Sequence, residues 1–191
     1  TSLECHDICC VIAQSVIVGG VRRSAMISLS DLDDSDMANC KSGNWWESHS
    51  YRSLANNSAV YTEKPHLGRY LKEWTSLYNS FSGERGILNR QALDAVCERV
   101  GREIPDDVHL GTNPCSEIIL RPEEFCNLST IVLTPTDTRS TLLKKIEMAT
   151  IIGTIQSKFT YFPYLRERWK KNSEEERLLG VSMTGIWDNP L

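Results

Sequence analysis

Short stretches rich in strand-forming residues alternate with longer stretches of helical periodicity along this chain. That alternation constrains the fold more than any other feature. Leu3, Ile8, Val11, Ile12 and Val16 recur at mostly helical spacing and predict a helix over 3–17. Gly19-Gly20 then breaks it, because glycine adopts turn conformations closed to other residues. Strands are expected at 24–29 (SAMISL), 57–62 (NSAVYT), 128–133 (LSTIVL) and 180–184, with 115–120 a strand or an extended loop. Helices are expected over 66–81, 89–100, 139–159 and 164–178. The acidic run 30–37 opens with capping residues and predicts a further helix, whereas the polar, Trp-containing 42–53 reads as loop. Within 139–159, Leu142, Ile146, Ala149, Ile152 and Ile155 mark one apolar side, and 128–133 reads as a buried strand. No repeat, low-complexity tract or linker interrupts the pattern. Helices and strands in alternation argue for the α/β class.

Composition excludes several functions. A length of 191 residues suffices for one domain or for part of a larger one. The formal net charge of −4 argues against a broad basic surface, and so against direct nucleic-acid binding. No apolar run approaches the roughly 20 residues of a membrane span. There is no signal-peptide pattern, and the chain does not begin with Met, so its natural N-terminus is expected elsewhere. Seven cysteines, an odd number at irregular spacing, do not form a secreted disulfide framework. The expectation is a cytoplasmic protein with reduced thiols, some of them chemical rather than structural.

Four groups of residues are candidates for chemistry. The first is Asn113-Pro114-Cys115-Ser116-Glu117. If extended, it projects Asn113, Cys115 and Glu117 to one side, because strand side chains alternate. An amide, a thiol and a carboxylate in a row suit a sugar with vicinal hydroxyls: the amide bonds one hydroxyl and the carboxylate takes a proton from the other. Pro114 stiffens the backbone and removes a donor. The competing reading is a structural loop that happens to hold one cysteine. The second candidate is Cys126, eleven residues on, either a second thiol for the same pocket or a small buried hydrophobe at a strand start. The third is Cys5-His6…Cys9-Cys10. All are good zinc ligands, but on a helix Cys5 and Cys9 share a face that Cys10 and His6 do not, and no second ligand pair completes a tetrahedron. No metal site is therefore expected. The fourth is Gly19-Gly20-Val21-Arg22-Arg23, where a flexible turn precedes two guanidinium groups able to meet phosphate or a base edge. It is neither GxGxxG nor a P-loop, and a solvated turn is its alternative.

Taken in order, four segments resemble the adenosylcobalamin-dependent ribonucleotide reductases. VGGVRRSAMISLSDLDDSDM at 18–37 is similar to that family's specificity-loop region, and RSLANNSAVYTEKP at 52–65 to its next barrel strand. GTNPCSEIILRPEEFCNLSTIVL at 111–133 resembles the finger loop with its radical cysteine, followed by a reducing cysteine. RLLGVSMTGIWDNP at 177–190 is similar to a further barrel segment.

The resemblance implies that residues 1–191 are a fragment of a ten-stranded α/β barrel. The finger loop and the start of the following strand fall at 111–127, and the loop that reads effector and substrate base at 18–25. It implies that Cys115, as a thiyl radical, takes the 3′ hydrogen of the ribose. Glu117 acts as base for the 3′-hydroxyl, Asn113 holds substrate hydroxyls, and Cys126 is one of two thiols that close to a disulfide. Gly19, Gly20, Arg22 and Arg23 would form the base-reading loop. Adenosylcobalamin is the implied cofactor. The implied partners are a ribonucleotide substrate, nucleotide effectors, and thioredoxin or a similar reductant, in the service of DNA synthesis. The short interval from Cys115 to Cys126 resembles the cobalamin-dependent enzymes, and GGVRRSA those acting on triphosphates. The alternatives are a diiron-dependent diphosphate reductase and a non-catalytic nucleotide-binding module. Cys126's partner thiol, the phosphate loop and much of the cobalamin surface would lie outside this chain, since none of Cys5, Cys9 or Cys10 matches the missing reducing thiol.

Overall fold

The computed structural model describes residues 1–18 and 22–191, with backbone alone at 17, 18, 22 and 23. The chain is α/β and consists of two compact units, Thr1–Ile119 and Leu120–Leu191.

The first unit opens with α1 (Ser2–Gln14), started by a capping box in which Thr1 and Glu4 satisfy each other's backbone N–H groups. The strands β1 (Ile17–Val18) and β2 (Arg22–Arg23) pair antiparallel, so the helix expected to reach residue 17 stops three residues earlier. β3 (Met26–Asp31) follows, then α2 (Ser35–Asn39), whose N-cap is Asp34 accepting from Met37 N at 2.9 Å. The region 42–53 is not loop: it holds α3 (Trp45–Ser48) and a 3₁₀ turn over Ser50–Leu54. Neither turn has a sequence period to announce it. The 3₁₀ turn is pinned instead by Arg52, which is buried and grips Asp7 of α1 through two bonds of 2.7 and 2.6 Å.

β4 (Ala55–Tyr61), α4 (Leu67–Ser80), β5 (Gly86–Asn89) and α5 (Arg90–Arg99) complete a parallel sheet of order β3-β4-β5. β5 was not expected from the sequence. It has only four residues, and it begins at Gly86, where a Cβ would meet Ser58 Oγ at 2.9 Å. A glycine that weakens the local strand signal is thus the one that lets β5 approach β4. Buried Arg85 locks the sheet to α4 by pairing with Glu73 at 2.7 Å, and it also donates to the carbonyls of Asp31 and Leu32. Two short strands, β6 (Gly111–Thr112) and β7 (Ile119–Leu120), pair with each other, β7 falling at the boundary after Ile119.

The second unit is one parallel strand–helix–strand arrangement. β8 (Asn127–Val132) pairs in parallel with β9 (Leu179–Thr184), and α6 (Arg139–Gln156) and α7 (Glu167–Glu176) lie between them in sequence. The expectation of a buried strand at 128–133 is corrected: Ile131 and Leu133 are buried, but Leu128 and Val132 are exposed. On α6 the buried positions are Ala149 and Gly153. Ile152 and Ile155, expected on the inner side, are about half exposed. The reason lies in the size of the sheet: α6 meets it along Ala149 and Gly153, where a Cβ at 153 would be in ordinary contact with Leu179 and Ser129, and two strands cover only that narrow stripe.

Candidate active site

The segment carrying Asn113, Cys115 and Glu117 is a tight loop between β6 and β7. Its approach is firmly held. Leu110 is fully buried, and its carbonyl accepts from Arg90 Nε at 3.0 Å. On the far side Arg102 Nη1 donates to Ile119 O at 2.9 Å. Between these anchors the chain turns back on itself. Ser116 N donates to Asn113 O at 2.9 Å, which closes a four-residue turn with Pro114 at its second position, where a fixed φ is favoured. Ser116 has φ +64°.

Residues 113–117 form a turn and are not extended, so the condition under which strand alternation would align Asn113, Cys115 and Glu117 is not met. A turn, not strand alternation, arranges Asn113, Cys115 and Glu117, and Pro114 serves the turn instead of stiffening a strand. Cys115, Ser116 and Glu117 are exposed at the tip. Asn113 is half-buried and works at the neck: its N–H donates to Ile118 O at 3.3 Å and its Oδ1 accepts from Ile118 N at 3.0 Å. The carbonyl end of the amide is thereby committed, and among the described residues nothing accepts from its Nδ2. The arrangement leaves one amide donor, one thiol and one carboxylate on a single short loop.

Sequence reasoning missed Asn56 of β4, whose Nδ2 donates to Pro114 O at 3.0 Å. A signal existed, since Asn is depleted in strands and β4 carries two in succession, Asn56 and Asn57.

Cys126 belongs to the second unit. It is half-buried just before β8, beside Phe125, whose ring lies 4.5 Å from that of Trp169 and 4.9 Å from that of Phe162. The expected base-reading loop at 18–25 is only partly covered. Gly19 and Gly20 lie outside the described residues, and Arg22 and Arg23 are described only as the backbone of β2. Ser24 anchors the far side by donating to Ala13 O at 2.7 Å.

The remaining cysteines divide by burial. Cys5 and Cys9 are exposed on α1, while Cys10, Cys40 and Cys97 are buried. Burial pushes the Cys10 and Cys40 thiols above their ordinary pKa. His6 is buried too. One ring nitrogen faces Asp7 Oδ1 at 3.0 Å and the other Asn57 Oδ1 at 3.2 Å, within the polar cluster that contains Arg52. No group of three or more His, Cys, Asp or Glu side chains suited to a metal ion occurs among the described residues. None of the described helices is long and apolar enough to cross a membrane.

Fold and loop together define a class: an α/β chain of parallel strand–helix units that presents a cysteine and a carboxylate on one tight turn. No protein-family model matches the chain. Curated proteins do. It is 32% identical over 191 residues to the adenosylcobalamin-dependent ribonucleoside-triphosphate reductase of Lactobacillus acidophilus, covering 98% of this chain and 25% of that protein. The enzymes of the same name from Lactobacillus delbrueckii subsp. bulgaricus and Lacticaseibacillus paracasei are 30% and 31% identical, again over 98% of this chain. The chain spans about a quarter of the length of these relatives. Over nearly its whole length it is a homologue of the adenosylcobalamin-dependent ribonucleotide reductases.

Proposed function

We infer that this chain is part of the ten-stranded catalytic barrel of an adenosylcobalamin-dependent ribonucleoside-triphosphate reductase, and that 111–127 is its finger loop and following strand start. One observation carries the reading: similarity to enzymes of that name runs from end to end of the chain, through the loop that exposes Cys115. Parallel strand–helix units are the pieces from which such a barrel is assembled.

Adenosylcobalamin, when bound, supplies radical chemistry by homolysis of its cobalt–carbon bond. The one thing this chain must offer it is an accessible hydrogen donor, and an exposed thiol at a loop tip fits that need. Cys115, as a thiyl radical, takes the 3′ hydrogen of the ribose. Glu117 removes the proton of the 3′-hydroxyl as general base, and the free end of the Asn113 amide donates to a substrate hydroxyl. The 2′-hydroxyl takes a proton from the thiol pair and departs as water, Glu117 gives its proton back to the 3′ oxygen, and at the end of the cycle Cys115 returns its hydrogen to C3′, which regenerates the thiyl radical. Cys126 and a second thiol outside this chain give up two electrons and two protons and close to a disulfide, which thioredoxin or a similar dithiol reopens by exchange. Gly19, Gly20, Arg22 and Arg23 link a bound effector to the choice of substrate base, and the product serves DNA synthesis.

The test uses the full-length protein with adenosylcobalamin, a dithiol reductant and each ribonucleoside triphosphate in turn. Deoxynucleotide formation is expected from the wild type. Cys115→Ser is expected to abolish it with nucleotide affinity kept, because the volume hardly changes while an O–H bond is much stronger than S–H. Full turnover by the Ser variant would remove Cys115 from the mechanism. Turnover only with diphosphates would replace the substrate assignment.

A further inference from the structure

We propose that Asn56 is a positioning residue for Cys115, tying the turn that presents the thiol to the parallel sheet beneath it. Its consequence for turnover rests on the reductase reading; its geometry does not. Asn56 sits on the central strand β4, between buried Ala55 and buried Asn57, and its own side chain is exposed. Its Nδ2 donates to Pro114 O at 3.0 Å. That carbonyl belongs to the peptide plane whose nitrogen is the nitrogen of Cys115. Fixing the orientation of a planar peptide fixes the direction in which the next Cα, and hence the Cys115 side chain, leaves the turn.

The loop's other bonds do a different job. Ser116 N to Asn113 O, Asn113 N to Ile118 O and Ile118 N to Asn113 Oδ1 all run within the loop. They give the turn its shape without placing it on anything. The Asn56 bond joins the tip to the sheet.

The strand register supplies a second observation. Asn56 and Ser58 share a face of the sheet, because strand side chains alternate. Leu29 is the cross-strand partner of Ser58 and so shares that face. A Cβ on Gly111, in the strand that leads into the loop, would lie 3.9 Å from Leu29 Cδ1. Approach strand and loop tip therefore rest on one sheet face at two places, Leu29 and Asn56. The neighbouring Asn57 points the other way and directs its amide to His6 and Cys40. Of the two adjacent asparagines, one serves the buried cluster and the other the loop.

Hydrogen-atom transfer needs donor and acceptor held near contact, and a displacement of about 1 Å can cost on the order of a hundredfold in rate. One neutral hydrogen bond corresponds to roughly tenfold in the population of the tied position. Asn56→Asp keeps the shape, removes the donor and sets a carboxylate against the Pro114 carbonyl. Asn56→Gln keeps the donor.

Two readouts on the full-length protein decide the matter. In steady-state assays with ribonucleoside triphosphates and adenosylcobalamin, N56D is expected to lower kcat about tenfold with KM within about twofold, and N56Q to lie nearer the wild type. In the absence of cofactor and substrate, pulsed iodoacetamide labelling read by peptide mass spectrometry is expected to change at Cys115 in N56D. Cys5 and Cys9, exposed on α1, should label as in the wild type. Unchanged labelling of Cys115, an equal change at Cys5 and Cys9, or wild-type kcat in N56D would each overturn the proposal. A wild type that reduces no ribonucleotide, with altered Cys115 labelling in N56D, would uphold the tie and reject the reductase reading instead.

Discussion

Burial separates groups that look alike in sequence. Cys10 and Cys40 are pushed up in pKa by desolvation and stay as inert thiols in the core, whereas Cys115 stands exposed beside Glu117 on a turn. Carboxylates divide in the same manner. The Arg52 guanidinium, bonded to Asp7 through both its oxygens, holds that carboxyl down from an ordinary 3.8 to about 2, with His6 and Tyr51 helping and burial opposing. A folded-state pKa below the unfolded value means that the carboxylate stabilises the fold above about pH 4. That contribution is lost as pH falls through the folded value near 2. A shift of this size corresponds to about 2 kcal/mol. Asp7→Asn removes the charge at every pH and leaves the Arg52 guanidinium buried without its counter-ion. The wild type should therefore exceed D7N in stability at neutral pH, and the gap should narrow between about pH 4 and pH 2. Urea midpoints of the two proteins across that range measure it. A gap that stays constant over the whole range would show that Arg52 and Asp7 do not act as an ion pair.

At the scale of elements, sequence periodicity served where an element owns its signal. The helices at Leu67–Ser80 and Arg90–Arg99 fall within a residue of the expected limits, and β4 and β9 within two. It failed where a partner supplies the stability. The 3₁₀ turn at Ser50–Leu54 depends on Arg52 reaching Asp7, 45 residues away. β5 depends on β4 accepting Gly86. At the candidate site the sequence disclosed the residue types of the loop but not its turn, nor the tie from Asn56, because neither has a period. Glycine shows how much one such position can carry. Gly185, just after β9, has φ +75°, and a Cβ there would lie 2.3 Å from the carbonyl oxygen of Leu133. The clash is with backbone, so no side chain can swing aside. Gly185→Ala should destabilise the second unit by about 1–3 kcal/mol for the left-handed conformation alone, and by more for the contact. Gly101→Ala shares the positive φ, at +72°, but meets nothing within 4 Å, and should cost less. Thermal midpoints of the two variants in the full-length protein compare the two effects. Equal losses would mean that conformation, not contact, governs both.

The molecule as a whole presents apolar surface that its own elements do not cover. α6 is apolar on nearly every side: Leu143, Met148, Ile151, Ile152 and Ile155 are all exposed around it. A helix of that kind is normally buried all round. On α1, Ile8, Val11 and Ile12 are exposed as well. The sheets have the same character. β3 and β5 are edges of a three-stranded parallel sheet, and β8 and β9 form a sheet of two. Parallel sheets are ordinarily covered on both faces, and unpaired edges recruit other strands. On the reading proposed above, the remainder of the barrel covers these surfaces, and a piece that matches about a quarter of its relatives' length exposes them. The 191 residues expressed alone should then bind an apolar dye such as ANS strongly and self-associate as concentration rises. The full-length protein at the same molar concentration should do neither to a comparable degree. Changing Ile151 and Ile155 to Lys should reduce dye binding and association of the isolated piece, since both side chains already face solvent there. In the full-length protein the same pair should lower stability, because the charges would then be forced under a covering element. Sedimentation and dye titration of the four proteins distinguish the cases. A monomeric, dye-silent isolated piece, or a full-length protein indifferent to the two lysines, would mean that the outer side of α6 faces water in the complete protein as well.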